Sequence, residues 1–169
     1  MNKSIKEQRV KDFLKDLASK SPTPGGGAVA AITGAIAASL VEMVCNLTIG
    51  KKDYLDVQNK VVTISKEAQC LSKELQNLAD KDSKSFQNVI KAYKSGDKGK
   101  IKKTLIVATE VPEKTAKYCK KVQELAEIMV RIGNKNAYSD AMSAGHLAFA
   151  AMQSAQENIE INKRNLVLL

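Results

Sequence analysis

Between Tyr54 and Lys94 the chain contains neither proline nor glycine, and apolar residues return every three or four positions. Val57, Val61, Ile64, Ala68, Leu71, Leu75 and Leu78 carry the pattern, which resumes at Phe86, Val89 and Tyr93. The spacing predicts one helix of roughly 40 residues with a coiled-coil-like seam. Such a seam must be covered by other helices, so the chain is directed toward an amphipathic helical bundle. The step after Leu78 falls on Asp82. An acid on an apolar seam is costly, since even an unpaired polar group costs roughly 2–7 kcal/mol to bury. That cost is tolerated where the group faces a polar pocket, pairs with a cation, or holds a raised pKa suited to proton transfer. The plainer alternative is a seam that breaks where the helix meets solvent. Asp80, two residues away, reads as a surface charge.

The second constraint is Ser21-Pro-Thr-Pro-Gly-Gly-Gly27, followed by an uncharged run from Ala28 to Leu40. Two prolines exclude helix there, while glycines admit positive φ or close approach of another group to the main chain. A rigid turn therefore feeds a helix expected over 28–49, whose first N–H groups are free to hold an anion or polar ligand. Pro24, Gly25, Gly26 and Gly27 are the candidate residues of that turn. The bland alternative is a stiff loop ahead of a tightly packed helix. Within the helix Ala30, Gly34 and Ala38, and beside them Ala31, Ala35 and Ser39, recur every four residues, making flat strips where helix axes come close. Strips of this kind lie inside a bundle or on a dimer axis. Gly50 stops the helix, and Lys51 and Lys52 sit where cations suit its dipole. The 23 residues of 28–50 carry one charge, Glu42, and are long enough to cross a bilayer. Glu42 and the abundance of Ala, Gly, Ser and Thr argue instead for the buried central helix of a soluble bundle, with no membrane partner.

Elsewhere the pattern predicts an amphipathic helix over 4–19, with Ile5, Val10, Phe13, Leu14 and Leu17 facing inward. A turn is expected at 95–99 and a helix over 101–132, kinked or broken near Pro112. After a turn at 133–136 comes a last helix, from Ala137 into the 160s. Its inner stripe is Ala137, Ala141, Ala144, Ala148, Ala151 and Ala155, continued by Asn158 and Asn162, with Asp140 beside its start. Two amides one turn apart offer donors and acceptors for a polar heterocycle, or equally cap neighbouring helix ends. His146 reads as structural or surface. The expected architecture is all-α: a single domain over 1–169, about five helices with one very long, dimerising through small-residue helix faces.

Charge and cysteines narrow the function. The net charge is +9, but the lysines are scattered and aromatics are few, so nucleic acid is not the expected partner. Cys45, Cys70 and Cys119 are far apart with no CxxC, which fits reduced thiols in the cytoplasm. With one histidine, no metal site and no His-dependent triad is expected. The charged 1–20 segment does not read as a signal peptide.

Ser21 to Ala31, Met43-Val44, Leu47 to Tyr54, Asp80 to Phe86, Val111-Pro112, Ser139-Asp140 and Asn158 to Asn162, in that order, resemble the cyclodeaminase/cyclohydrolase family. This family comprises formiminotetrahydrofolate cyclodeaminase domains and methenyltetrahydrofolate cyclohydrolases. The resemblance covers nearly the whole chain. It implies an all-helical homodimer acting on a folate one-carbon unit without a cofactor, with Asp82 transferring protons and the Gly-rich loop beside the substrate. On that reading Asp140, Asn158 and Asn162 would hold the pterin or its bridge, with the substrate-binding loop of Pro24, Gly25, Gly26 and Gly27 nearby, and Lys51 and Lys52 would attract the glutamate carboxylates or, equally, serve only as cations at the helix C-terminus. Relatives commonly have a smaller or apolar residue at Glu42, and a further helical segment beyond Leu169. The competing reading is a non-catalytic helical dimer that keeps the fold as a scaffold or regulatory subunit.

Overall fold

The computed structural model describes residues 4–169. It contains five α-helices: α1 (Val10–Leu17), α2 (Gly26–Asn46), α3 (Gln58–Ser95), α4 (Lys98–Ile132) and α5 (Tyr138–Val167). Short 3-10 turns cover Ile5–Glu7, Lys52–Val57 and Lys135–Ala137. No strand occurs among the described residues. The all-helical class and its five helices are those the sequence predicts.

The 38 residues of α3 make it about 57 Å long at 1.5 Å per residue. Its seam is buried from Val61 through Leu78. Beyond Asp82 the inward face rotates to Val89 and Ala92, while Phe86 and Tyr93, expected on the seam, are exposed. Gly96 ends the helix in the left-handed region at φ 69°. Asp97 then caps α4, its carboxylate accepting from the Lys100 N–H at 3.0 Å. The cap starts α4 at Lys98, ahead of the expected position 101, and a two-residue link leaves α3 and α4 as an antiparallel hairpin. Leu166 and Leu169 close a small second core of Val89, Ala92, Ile101, Leu105 and Ala108.

The smooth helix α2 lies at the centre, packed on α3, α4 and α5. Ala30, Ala31, Ala38, Ala141, Ala144 and Ala148 are at most 1% exposed within a single protomer. That corrects the expected mode of dimerisation, because small-residue faces consumed inside one bundle cannot meet a second copy. Packing is close at Gly34, where a Cβ would stand 2.5 Å from Cys119 Sγ and 3.3 Å from Leu75 Cδ1. Gly34→Ala is expected to overpack this contact and lower the unfolding free energy by about 1–3 kcal/mol, as measured by urea denaturation. On the other side of α2, Ile36, Met43 and Leu47 are exposed, and Ile32 and Leu40 are half-buried. By length and composition α2 could cross a membrane, but 56% of its most apolar window is buried in the bundle. Glu42 accepts from Gln69 of α3 at 3.1 Å.

The expected helix over 4–19 is interrupted. Ile5 N–H donates to Asp80 Oδ1 at 2.6 Å, and the Ser4 hydroxyl donates to Asp80 Oδ2. Asp80 is thus a half-buried anchor and not a free surface charge. Gln8 and Arg9 are extended, and α1 restarts at Val10 with no buried residue of its own. Val10 and Leu14 are 74% and 54% exposed, so the apolar face predicted for this helix is only partly covered. Of the kink or break expected near Pro112, the break does not occur, for α4 runs through it as one helix.

At the far end of α2, Asn134 ties the α4–α5 connection to the chain after α2. Its N–H donates to Thr48 Oγ1 at 2.9 Å and its side-chain amide to the Leu47 carbonyl at 2.7 Å. Tyr54 joins this end by accepting from the Lys135 N–H at 3.0 Å.

Candidate active site

The site is built where the 21–27 loop delivers the chain into α2. Thr23 is buried, and its hydroxyl accepts from Gln87 Nε2 of α3 at 3.1 Å. Within the loop itself the Ser21 hydroxyl donates to the Thr23 carbonyl at 2.8 Å. No side chain of the loop caps α2. The partner comes from α3 instead: the Ala28 N–H donates to the Asp82 carboxylate. A helix N-terminus is a favourable place for an anion, as its first N–H groups lack helical acceptors.

None of the three glycines is used for positive φ. Gly25 is extended at φ −131°, and the glycines with positive φ are Gly50 and Gly96. At Gly27 the requirement is space, because a Cβ there would overlap the Asp82 carboxylate. At Gly26 the nearest atom to such a Cβ is Asn158 Nδ2, at 3.8 Å.

Around Asp82 lies a cavity of about 260 Å³ bordered by Gly25, Gly26 and Gly27 from the loop and α2, and by Ser85 and Phe86 from α3. Ala108 of α4 and Asn158, Ile161 and Asn162 of α5 complete it with Pro22 and Thr23. Four helices therefore converge on one carboxylate. Burial raises the Asp82 pKa from 3.8 to about 6, partly opposed by the Ala28 N–H. A carboxyl group in that range both takes and returns a proton near neutrality. The buried thiols of Cys45 and Cys119 move the other way from reactivity, pushed up to about 12 by desolvation.

The structure brings together Asp82, Gly25, Gly26, Gly27, Asn158 and Asn162. Pro24 borders a larger neighbouring cavity of about 830 Å³ on the other side of the loop. It does not bring Lys51, Lys52 or Asp140 to Asp82 within one protomer. The lysines follow the C-terminal end of α2, whose 21 residues span about 30 Å. Asp140 is in the first turn of α5, 18 residues before Asn158, or about 27 Å along the helix. His146 is exposed on the same helix. Among the described residues no group of three or more His, Cys, Asp or Glu is placed to hold a metal ion.

Sequence reasoning missed Thr23, Ser85, Phe86, Ala108 and Ile161 as cavity residues. Phe86 and Ile161 carried a signal, since each is three or four residues from a flagged polar residue on its own helix. Thr23 carried one too, lying within the 21–27 turn, whereas Ala108 carried none. Lys81, Lys84 and Lys114 line an adjoining cavity of about 300 Å³ that shares Ser85 with this one, and their scattered positions hid their convergence.

A family model described as formiminotransferase-cyclodeaminase matches residues 9–167. The chain is 39% identical over 168 residues to a methenyltetrahydrofolate cyclohydrolase of Methylorubrum extorquens, aligning 94% of this chain with 81% of that protein. It is 24% identical over 172 residues to the formimidoyltransferase-cyclodeaminase of Rattus norvegicus, covering 96% of this chain and 32% of that longer one. A crystal structure of a formiminotetrahydrofolate cyclodeaminase from Thermotoga maritima superposes with a TM-score of 0.92 at 36% identity, over 96% of this chain and 81% of that one.

Proposed function

The chain belongs to the formiminotransferase-cyclodeaminase family and is a folate one-carbon enzyme, and on that premise we propose that Asp82 is its general acid–base. The reaction we assign is hydrolysis of 5,10-methenyltetrahydrofolate to 10-formyltetrahydrofolate. The observation that carries the mechanism is the Asp82 carboxyl, raised to about 6 by burial and held by the Ala28 N–H in a cavity with two amides. Its substrate is already an activated electrophile, a cationic N5–CH=N10 bridge, so proton management is the main demand on the protein.

In this mechanism ionised Asp82 takes one proton from a water as its oxygen bonds to the bridge carbon. The tetrahedral adduct then collapses: the carbon–N5 bond breaks, Asp82 returns its proton to N5, and the hydroxyl proton leaves to solvent. One proton is released per turnover. The same carboxyl serves 5-formiminotetrahydrofolate cyclisation, taking the N10 proton as N10 attacks the carbon of the protonated formimino group and passing it to the nitrogen that departs as ammonia. That second reaction is kept because the structural relative from Thermotoga maritima is a cyclodeaminase. Asn158 and Asn162 hold the pterin or the bridge in this reading, and Gly25 to Gly27 border it.

The first test follows the loss of methenyl absorbance with purified protein against a buffer blank and Asp82→Asn. Decay above the blank that the variant abolishes supports the assignment. With 5-formiminotetrahydrofolate the corresponding signal is rising methenyl absorbance with ammonia release. Absence of turnover with both substrates overturns it in favour of a non-catalytic dimer.

The enzyme is proposed to work as a homodimer. Ile36, Met43 and Leu47 extend along the exposed side of α2, and a groove of about 480 Å³ continues from them to Val10 and Phe13. An antiparallel seat along this stripe carries Lys51, Lys52 and Asp140 of one protomer toward the Asp82 cavity of the other, bringing the remaining candidates to one site. Ile36→Glu is expected to halve the mass seen by sedimentation equilibrium and to lower activity with it. A wild-type protein that sediments as one chain overturns the dimer.

A further inference from the structure

Pro112 stands inside α4 yet does not end it. A proline lacks the N–H that would bond the carbonyl four residues earlier, and its ring crowds that carbonyl away from its helical position. The carbonyl concerned belongs to Ala108. In this structure it accepts from Asn162 Nδ2 of α5 at 3.2 Å. Ala108 and Asn162 both border the cavity around Asp82. The helical defect is thus repaired by a side chain of the candidate site.

We propose that Pro112 is a positioning residue: by freeing the Ala108 carbonyl it holds the Asn162 amide in one orientation at the Asp82 cavity. A carbonyl oxygen only accepts, so the atom of Asn162 that faces it has to be the amide nitrogen. The other end of the amide, Oδ1, is then left as an acceptor for a ligand N–H. Asn158 is similarly committed, its Nδ2 donating to the Ser154 carbonyl at 2.8 Å. Both amides spend a donor on backbone, and their oxygens remain for a ring edge that carries N–H or NH2 groups. Pro112 therefore acts at a distance from the substrate, through one carbonyl and one amide.

The inference rests on the folate reading for its kinetic test but has a second test independent of it. In Pro112→Ala a restored N–H competes for the Ala108 carbonyl and releases Asn162. The melting temperature is expected to stay or rise, while KM for 5,10-methenyltetrahydrofolate rises roughly three- to tenfold with kcat little changed. Asn162→Ala should raise KM to the same extent while lowering the melting temperature, since it leaves the Ala108 carbonyl without that donor, and the KM of the double variant should be no worse than that of Asn162→Ala alone. A wild-type KM in Pro112→Ala, or effects of the two substitutions that multiply, overturns the proposal. A wild type that turns over neither folate instead defeats the functional reading, and the structural step is then decided by NMR. The side-chain NH2 resonances of Asn162, identified by their loss in Asn162→Ala, should move to solvent-exposed positions in Pro112→Ala. Unchanged resonances overturn the positioning role whatever the activity.

Discussion

Asp82→Asn is expected to lower kcat by about 10²–10⁴-fold, the usual scale of general acid–base catalysis, while making the folded protein more stable at pH 8. The two effects share a cause. The amide keeps an acceptor for the Ala28 N–H but loses both the proposed proton transfer and the cost of a desolvated charge. With a folded pKa of about 6 against 3.8 in its usual setting, Asp82 binds its proton more tightly in the native state. Its protonated form favours folding below about pH 4, and that advantage is lost as pH rises through about 6. At pH 8 the ionised carboxylate therefore costs up to about 3 kcal/mol, from 1.36 kcal/mol per pKa unit. Urea denaturation of both proteins at pH 4 and pH 8 measures this. The variant should gain stability at pH 8 and show little difference at pH 4. The wild-type rate of methenyl hydrolysis, in which the proposed mechanism has Asp82 act first as a base, should rise with pH through about 6 and then level, after subtraction of the buffer rate. A variant with full activity, or one that keeps the same inflection, would remove Asp82 from the mechanism.

Asp82 was legible because the heptad-like step from Leu78 lands on it, and burying an acid at such a step demands a compensating partner. The partner itself was not legible. Nothing in the local pattern says that the N-terminus of α2 comes to rest against the middle of α3. The Gly-rich loop shows the same limit, as glycine needed for positive φ and glycine needed for clearance look identical in sequence, and Gly27 is of the second kind. The small-residue stripes correctly foretold close packing but not whose helix they meet. The Asp80 clamp on Ser4 and Ile5 overrode helix propensity at 4–9 by offering backbone and hydroxyl donors a tertiary acceptor. Pro112 reads as a breaker by local rules, whereas Asn162, fifty residues later, supplies the missing hydrogen-bond donor. Lys51, Lys52 and Asp140 were grouped with Asp82 by resemblance, but helix lengths set them at the opposite end of the protomer. Helix length is easily read, whereas the relative alignment of helix ends is a tertiary property.

Gly27→Ala is the complementary test, because it attacks the site without touching an ionisable group. The added methyl would occupy the place of the Asp82 carboxylate. Two responses are available: α2 shifts away from α3, or the carboxylate turns aside. Backbone motion would disturb Ala28, Ala31 and Ala35, which are packed in the main core, whereas Asp82 needs only a rotamer change. The side chain therefore yields. Its contact with the Ala28 N–H is lost, the carboxylate is directed away from the reacting carbon, and activity should fall by about 10²–10⁴-fold, as for Asp82→Asn. Helix content and cooperative unfolding should persist, since alanine is the better helix former by about 1 kcal/mol. Gly25→Ala is the control. Its φ of −131° suits any residue, and the nearest atom to an added Cβ is the Pro22 carbonyl oxygen at 3.9 Å. It should retain activity within a few-fold of wild type, roughly the effect of less than 1 kcal/mol. Combining Gly27→Ala with Asp82→Asn separates displacement of the carboxylate from a general collapse of the loop. If Gly27 acts through Asp82, the double variant is no slower than either single one, because the same proton transfer is already absent. If the losses multiply, the glycine has a role of its own toward the substrate, and the loop's contribution lies in its backbone N–H groups and not in the room it leaves for Asp82.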